Sequence, residues 1–583
     1  MSRFAKPHES TAEKRDLAMG TKTSTPNDSA LHLPQEYDED GMLAAHTTLS
    51  SSANLIEKSL PYKGDKVIPI VFIPGIMGTN LMNMKTKKRV WVAPNMDGIF
   101  PVVKTLGLLF GSWFKSSKQR QAELDSTPGA VGVYEGGELD AAGSGLSKDD
   151  MRTRKWGAIM RSAYHPIMGE MQRQMNDIML NGNLQGAWRE RVDQAPADWG
   201  DWEDNPSLTA MGDASGLKIA ADTQYEVWAA GYNWLQSNRD SAKDIIDYIN
   251  DTVLPHYNGK AEKVIIVTHS MGGLVARAMI ACHGFDKVYG IIHGAMPATG
   301  APASYKRVRA GFEALAEKKI LGRDAADGIA VMAFANGPLE LLPSHDYNDG
   351  EPWLFAKDKS SLERVLRLPE RCPYEEIYKS EKWWGLIPEQ NNKLFDPAGI
   401  VSASQSKPKK LRKIESAPPS LRQEFCDIID EVKVFHADIE KKYHTNTFVH
   451  YAAESKSPKL YTWGTIEWAA NSLQGLDIKT ANLSSDNLDA EITLNGVYTL
   501  SIGPGYYPGD GTVPAFSSTA PRGKRGVHGA FAHGQNGGIL NRYCKEGAFN
   551  NSAGYGHQDA YTDKAGRTQF ATLYSLIRIS NSI

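Results

Sequence analysis

Lys263–Arg277, KVIIVTHSMGGLVAR, constrains the fold more than any other stretch of the chain. A β-branched run from Val264 to Thr268 meets a turn carrying Ser270. Gly272 and Gly273 then open an apolar helix through Leu274, Val275, Ala278, Met279 and Ile280. A strand that passes into a helix within so few residues holds its turn serine at a strained elbow on the edge of a parallel sheet. The strain exposes the hydroxyl to a base and a substrate. It also sets the N–H of Met271 at a helix N-terminus, where negative charge is stabilised. Gly272 is required because a side chain there would collide with the strand as the chain doubles back. Thr268 stands two places before the serine, where a glycine would ease the crossing. Taken alone, Ser270 also fits a plain helix-capping serine.

Two further segments favour the nucleophile. Val67–Asn80, VIPIVFIPGIMGTN, is an apolar strand followed by the turn Pro74-Gly75-Ile76-Met77-Gly78. Acyl transfer needs two N–H donors aimed at the developing oxyanion, one from the residue after the nucleophile and one from the loop after an earlier strand. Met271 and Ile76 are the expected pair, although a glycine-flanked loop can simply turn. Near the C-terminus, VYTLSIGPGYYPGDGTVP places Asp510 in a turn after another strand, downstream of the serine as a Ser–acid–His order demands. An Asp-Gly pair also makes ordinary turns. Three histidines follow: His528, His533 and His557. His528 and His533 flank VHGAFAH, which reads as a last strand. His557 lies in a loop before the final amphipathic segment, where a base is best presented, and is preferred over His533.

Together, Pro74–Asn80, the T-H-S-M-G-G elbow and G-D-G-T-V-P resemble the lecithin:cholesterol acyltransferase and GPI-inositol-deacylase branch of serine lipases, which are α/β-hydrolases. The combination is most similar to bacterial type VI secretion lipase effectors, in which a terminal His-Gln-Asp-x-Tyr, here His557–Tyr561, carries the base. The likeness covers Val67–Asn80, Tyr225–Gly300 and Val497–Ile583, with Gly337–Pro343 as a short match between them. Tyr232-Asn233-Trp234-Leu235 resembles an acyltransferase element, but that family has Asp and Arg where Asn233 and Leu235 stand, so no role is carried over. The resemblance implies a Ser270–His557–Asp510 triad and a phospholipase, A1 favoured over A2, acting on target-cell membrane phospholipids. It also implies delivery from the producer cytoplasm to a rival's periplasm, a secretion spike or adaptor, and a cognate immunity protein. An esterase or acyltransferase on other acyl esters, and a non-catalytic binding protein on the same fold, stay open.

The chain of 583 residues exceeds one comfortable core. A net charge of −3 gives no global attraction to nucleic acid, so no nucleic-acid partner is expected. The four cysteines are widely scattered, and His436, His444 and His450 are irregularly spaced, so neither a disulfide scaffold nor a metal site is indicated. No nucleotide-binding glycine loop occurs, and no cofactor is expected. The N-terminus lacks an apolar run after its early charges and does not read as a secretory signal.

Alternating strands and helices predict a mainly parallel α/β sheet covered on both faces. Its core is assigned to 64–80, 222–300 and 486–583, after a polar, largely extended segment 1–63. Two mostly helical cap insertions, 81–221 and 301–485, are placed outside the sheet core. In the first, Ile99–Phe114, IFPVVKTLGLLFGSWF, carries ten large apolar residues in 16 and is too short and broken to span a bilayer. Leu106, Leu109, Phe110 and Trp113 are expected to meet lipid as a lid, or else to form a buried cap helix.

Overall fold

Six parallel strands carry the elements recognised in the sequence. They are β1 (Val67–Ile73), β2 (Gln224–Ala229), β3 (Val264–His269), β4 (Val288–Gly294), β5 (Thr447–Ala452) and β6 (Val527–His533), in the order β2-β1-β3-β4-β5-β6. The structure is a computed structural model. It describes residues 66–93, 116–180, 183–193, 214–312, 325–405, 419–453, 460–484, 488–533, 554–562 and 566–583, together with four short strands before residue 60. The lid candidates Leu106, Leu109, Phe110 and Trp113 lie outside the described residues.

β1, β2 and β3 are buried along their whole lengths, as strands covered on both faces must be. On one face, Ile70, Phe72, Val267 and Phe531 pack with Tyr164, Met168 and Met171 of α1 (Arg161–Asn176) and with Phe570, Leu573 and Tyr574 of the C-terminal helix Arg567–Ser580. Helices α2 (Asn238–Tyr248) and α3 (Gly272–Ala281) pack on each other, α3 lying against β3. The mainly parallel α/β sheet expected from strand–helix alternation is the one observed.

The insertions differ from expectation. The sequence reading puts residues 301–485 outside the sheet core, yet Thr447–Ala452 within them is β5, seated between β4 and β6. Its sequence, TFVHYA, carries Thr447 and His450 among apolar residues, so it lacks the apolar run that marks a buried strand, although all six residues are buried. The region is also less helical than expected. Leu354–Asp358, Arg364–Leu368 and Ile466–Ala470 join Glu491–Leu494 and Tyr498–Ile502 in a five-stranded mixed sheet. That sheet and helix α4 (Leu421–Ile439) enclose a second hydrophobic core around Trp353, Trp383, Phe425, Val432 and Trp468. The last two of its strands fall in the 486–583 stretch assigned to the hydrolase sheet.

The first insertion contributes a three-stranded antiparallel sheet (Leu81–Asn83, Arg89–Trp91, Val131–Val133) and α1, which belongs to the main core rather than to a cap. The reason lies at the open edge of β2, whose unpaired backbone groups need partners. Side chains supply them. Gln172 accepts from Val227 N at 2.8 Å and donates to Tyr225 O at 3.2 Å. Asn176 accepts from Tyr225 N at 3.0 Å, and Trp156 Nε1 donates to Val227 O at 2.9 Å. Residues Met1–Tyr62 form a separate unit in which Ala30–His32 pairs in parallel with Glu57–Ser59, and Glu36–Tyr37 pairs antiparallel with Leu43–Ala44.

The same edge carries the buried ion pair Arg154–Glu226, with Nη1···Oε2 at 2.5 Å and side chains 3% and 0% exposed. Arg154→Met is expected to lower stability by about 3–5 kcal/mol, because it strands the Glu226 charge in the core. Arg154→Met combined with Glu226→Leu should lose less than the single substitution. Urea unfolding of the three proteins measures both.

Candidate active site

β3 ends at His269, and the chain turns into α3 through Ser270, whose φ of 51° lies in the left-handed region. Few non-glycine residues adopt it, and strain of this kind persists only where the surroundings impose it. Here Ser270 N–H donates to Gly294 O at 2.9 Å, and Gly273 N–H donates to Ser270 O at 2.9 Å. A Cβ on Gly272 would lie 2.6 Å from Ile73 O and 2.5 Å from Pro74 O, so the close approach of α3 to the end of β1 requires glycine. Thr268 is accommodated two places earlier because its buried hydroxyl lies 2.9 Å from Nδ1 of His293, its register partner on β4.

Asp510 follows the last strand of the second sheet in the chain, and His557 follows β6; both side chains come to this elbow. Asp510 is 3% exposed, and its Oδ1 accepts from the N–H groups of Thr512 and Val513 at 2.9 and 2.7 Å. The remaining oxygen, Oδ2, lies 2.7 Å from His557 Nδ1. His557 Nε2 lies 2.8 Å from Ser270 Oγ. An ionised carboxylate only accepts, so the imidazole proton sits on Nδ1 and Nε2 is left to accept from the serine hydroxyl. The three side chains named from sequence are therefore joined in one hydrogen-bonded chain. Such a chain can withdraw the serine proton as the oxygen attacks an electrophile.

The other histidines lie elsewhere. His528, at the start of β6, bonds Thr445 O at 2.9 Å. His533, at the end of β6, is buried beside His450 and Tyr555, with ring centroids 6.2 and 5.7 Å away.

The Pro74–Gly78 turn lies directly on the elbow. A Cβ on Gly75 would be 3.0 Å from Ser270 Cβ and 2.9 Å from His269 Nδ1. Two buried tyrosines hold the Pro74–Gly75 peptide from both sides: Tyr232, the first residue of the acyltransferase-like element, and Tyr164, which no motif contains. Tyr232 Oη donates to Pro74 O at 3.1 Å, and Gly75 N–H donates to Tyr164 Oη at 3.2 Å. The Gly75 N–H is thus occupied, whereas among the described residues neither Ile76 N–H nor Met271 N–H has an acceptor. Tyr164 sits in the first insertion, far from any recognisable motif, and nothing in the sequence signalled it. Tyr561, in the His-Gln-Asp-x-Tyr element, donates to Thr268 O at 2.8 Å and ties the His557 loop to β3.

Residues 208–351 match the family described as a PGAP1-like alpha/beta domain. Among solved structures, a chain from the crystal structure of the Tle4-Tli4 complex matches with 37% sequence identity and a TM-score of 0.73, over 88% of this chain and 98% of that one. The chain belongs to the PGAP-like type VI lipase effectors, within the α/β-hydrolases. No curated protein matches it. At 88% of this chain, the likeness extends well beyond the elbow.

Around this lipase-effector elbow the protein buries several neutral imidazoles. Burial holds His269 well below the ordinary histidine value of 6.5 and lowers His293 and His450 to about 3. In the second core, burial lowers His436 to about 4. In each case the unfolded chain binds a proton that the folded chain refuses, so folding stability falls as pH drops below 6.5. Glu340, raised to about 8 by burial, and Asp244, also raised by burial, act in the opposite sense, against these four histidines and the likewise lowered His165 and His444. Urea-unfolding stability is therefore expected to decline from pH 6.5 towards pH 4, each histidine contributing about 1.4 kcal/mol per pH unit. His293→Asn should reduce that slope, and a stability independent of pH over this range would contradict the burial of neutral rings.

Proposed function

We propose that this lipase effector is a serine-dependent phospholipase, A1 favoured over A2, acting on the membrane glycerophospholipids of a target cell. The observation that carries the reading is the Asp510–His557–Ser270 hydrogen-bonded chain at a left-handed elbow. Ser270 Oγ attacks the ester carbonyl carbon while its proton passes to His557 Nε2. Asp510 holds the ring and supports its positive form. The N–H groups of Ile76 and Met271 receive the oxyanion, each such donor being worth about 3–4 kcal/mol of barrier. Collapse of the tetrahedral intermediate expels the alcohol, which takes the proton from His557. Water activated by the same imidazole then cleaves the acyl-serine, releasing fatty acid and regenerating the hydroxyl.

Membership of the lipase effectors supports lipid as the acyl donor, and the triad alone specifies only the reaction class. The related solved structure is a Tle4-Tli4 complex. By the same reading this chain takes a cognate immunity protein that blocks its cleft, and is carried from the producer cytoplasm by a type VI spike or adaptor into the rival's periplasm.

Mass spectrometry of lipids from vesicles of phosphatidylethanolamine and phosphatidylglycerol with different acyl chains at sn-1 and sn-2 tests the assignment. The wild type should release mainly the sn-1 fatty acid. Ser270→Ala and His557→Ala should each reduce the rate by about 10⁵–10⁶-fold, while His533→Ala retains the wild-type rate provided it folds. Release of no fatty acid by the wild type would overturn the lipid reading, and predominant sn-2 release would replace A1 by A2.

A further inference from the structure

We propose that His269 and Tyr164 are positioning residues, which set the base and the oxyanion loop relative to Ser270 through one buried chain of hydrogen bonds. The inference rests on the ester-hydrolase reading above and deepens it.

The direction of every bond in this chain is determined by its two ends. An amide N–H only donates, so Tyr164 Oη accepts from Gly75 and directs its own proton to His269 Nδ1, 3.0 Å away. A carbonyl only accepts, so His269 Nε2 donates to His557 O at 2.9 Å. Both ends demand the same neutral tautomer, with the proton on Nε2. His557 is then held by its main chain on both sides. Its N–H donates to Asp510 O at 2.8 Å and its carbonyl receives the His269 proton. The His269 and His557 rings lie 5.0 Å apart, and Tyr164 and His269 are each 2% exposed.

The loop supplying the first oxyanion donor, the elbow and the loop carrying the base thus share one rigid connection, although they lie hundreds of residues apart. A base displaced by about 1 Å loses on the order of 100-fold in rate. Neither His269 nor Tyr164 reaches Ser270 Oγ in this arrangement. Their contribution is to geometry, and it should appear in kcat rather than in KM.

Four variants assayed on a soluble short-chain ester test the proposal. Tyr164→Phe is expected to lower kcat by about 10–100-fold with KM within about twofold, because it leaves Gly75 N–H and His269 Nδ1 without partners. His269→Gln keeps an amide N–H near the position of Nε2, whereas His269→Phe keeps the ring volume and no donor. The Gln variant should therefore be the more active of the two, the reverse of the order that packing alone produces. Ser270→Ala separates the two levels of inference. Should it retain activity, the hydrolase reading itself fails. Should it be inactive while Tyr164→Phe keeps full kcat, or His269→Phe match His269→Gln, only the positioning role fails. For variants that do not fold, histidine ¹⁵N spectra of the wild type give an independent reading. A neutral His269 protonated on Nε2 is expected, and a proton on Nδ1 or a charged ring would overturn the proposal.

Discussion

The whole site depends on one backbone conformation, the left-handed Ser270 at the junction of β3 and α3. It brings α3 so close to the end of β1 that only a residue without a side chain fits at Gly272. The same crowding lays the Pro74–Gly78 turn over the serine. A relaxed turn would move the hydroxyl away from His557 and would separate the helix N-terminus from the loop that faces it. The fold tolerates the strain because Ser270 is tied through its N–H to β4 and is followed at once by a helix that packs on the sheet.

Parallel topology explains how such distant residues meet. Every strand of the main sheet points the same way, so the loops after β1, β3 and β6 open on one edge. Asp510 follows the last strand of the second, mixed sheet in the chain, and its loop is pinned by its own Oδ1 accepting from Thr512 and Val513. The insertions therefore do more than cover the site. One provides β5, without which β6 has no neighbour, and the other provides α1, whose Tyr164 reaches the Pro74–Gly75 peptide.

The parts legible in the sequence were those in which local chemistry leaves few alternatives. The strand–serine–Gly-Gly helix, the Pro-Gly turn after β1 and the Asp-Gly turn each combine a backbone demand with a reactive or polar group, and the structure brings Ser270, Asp510 and His557 together. The preference for His557 over His528 and His533 rests on a base belonging to a loop between the last strand and the last helix, and among the described residues His557 bonds Ser270 whereas His528 bonds Thr445. What escaped reading depends on tertiary context. β5 hides behind Thr447 and His450, whose side chains bond His444 O three residues earlier and Tyr555 Oη across the fold. Tyr164 and Gln172 act through the surfaces they meet across the fold, and no spacing along the chain encodes those meetings.

The central claim is that Ser270 Oγ is the group that attacks. Peptide mass spectrometry after reaction with a fluorophosphonate tests it directly, because cleavage at the basic residues isolates Val264–Arg277 with Ser270 as its single serine. The account predicts one phosphonyl adduct on that peptide, on Ser270, with the rate of its appearance matching the loss of esterase activity. Activity lost with the adduct on another residue, or ester turnover that persists with Ser270 fully modified, would contradict it.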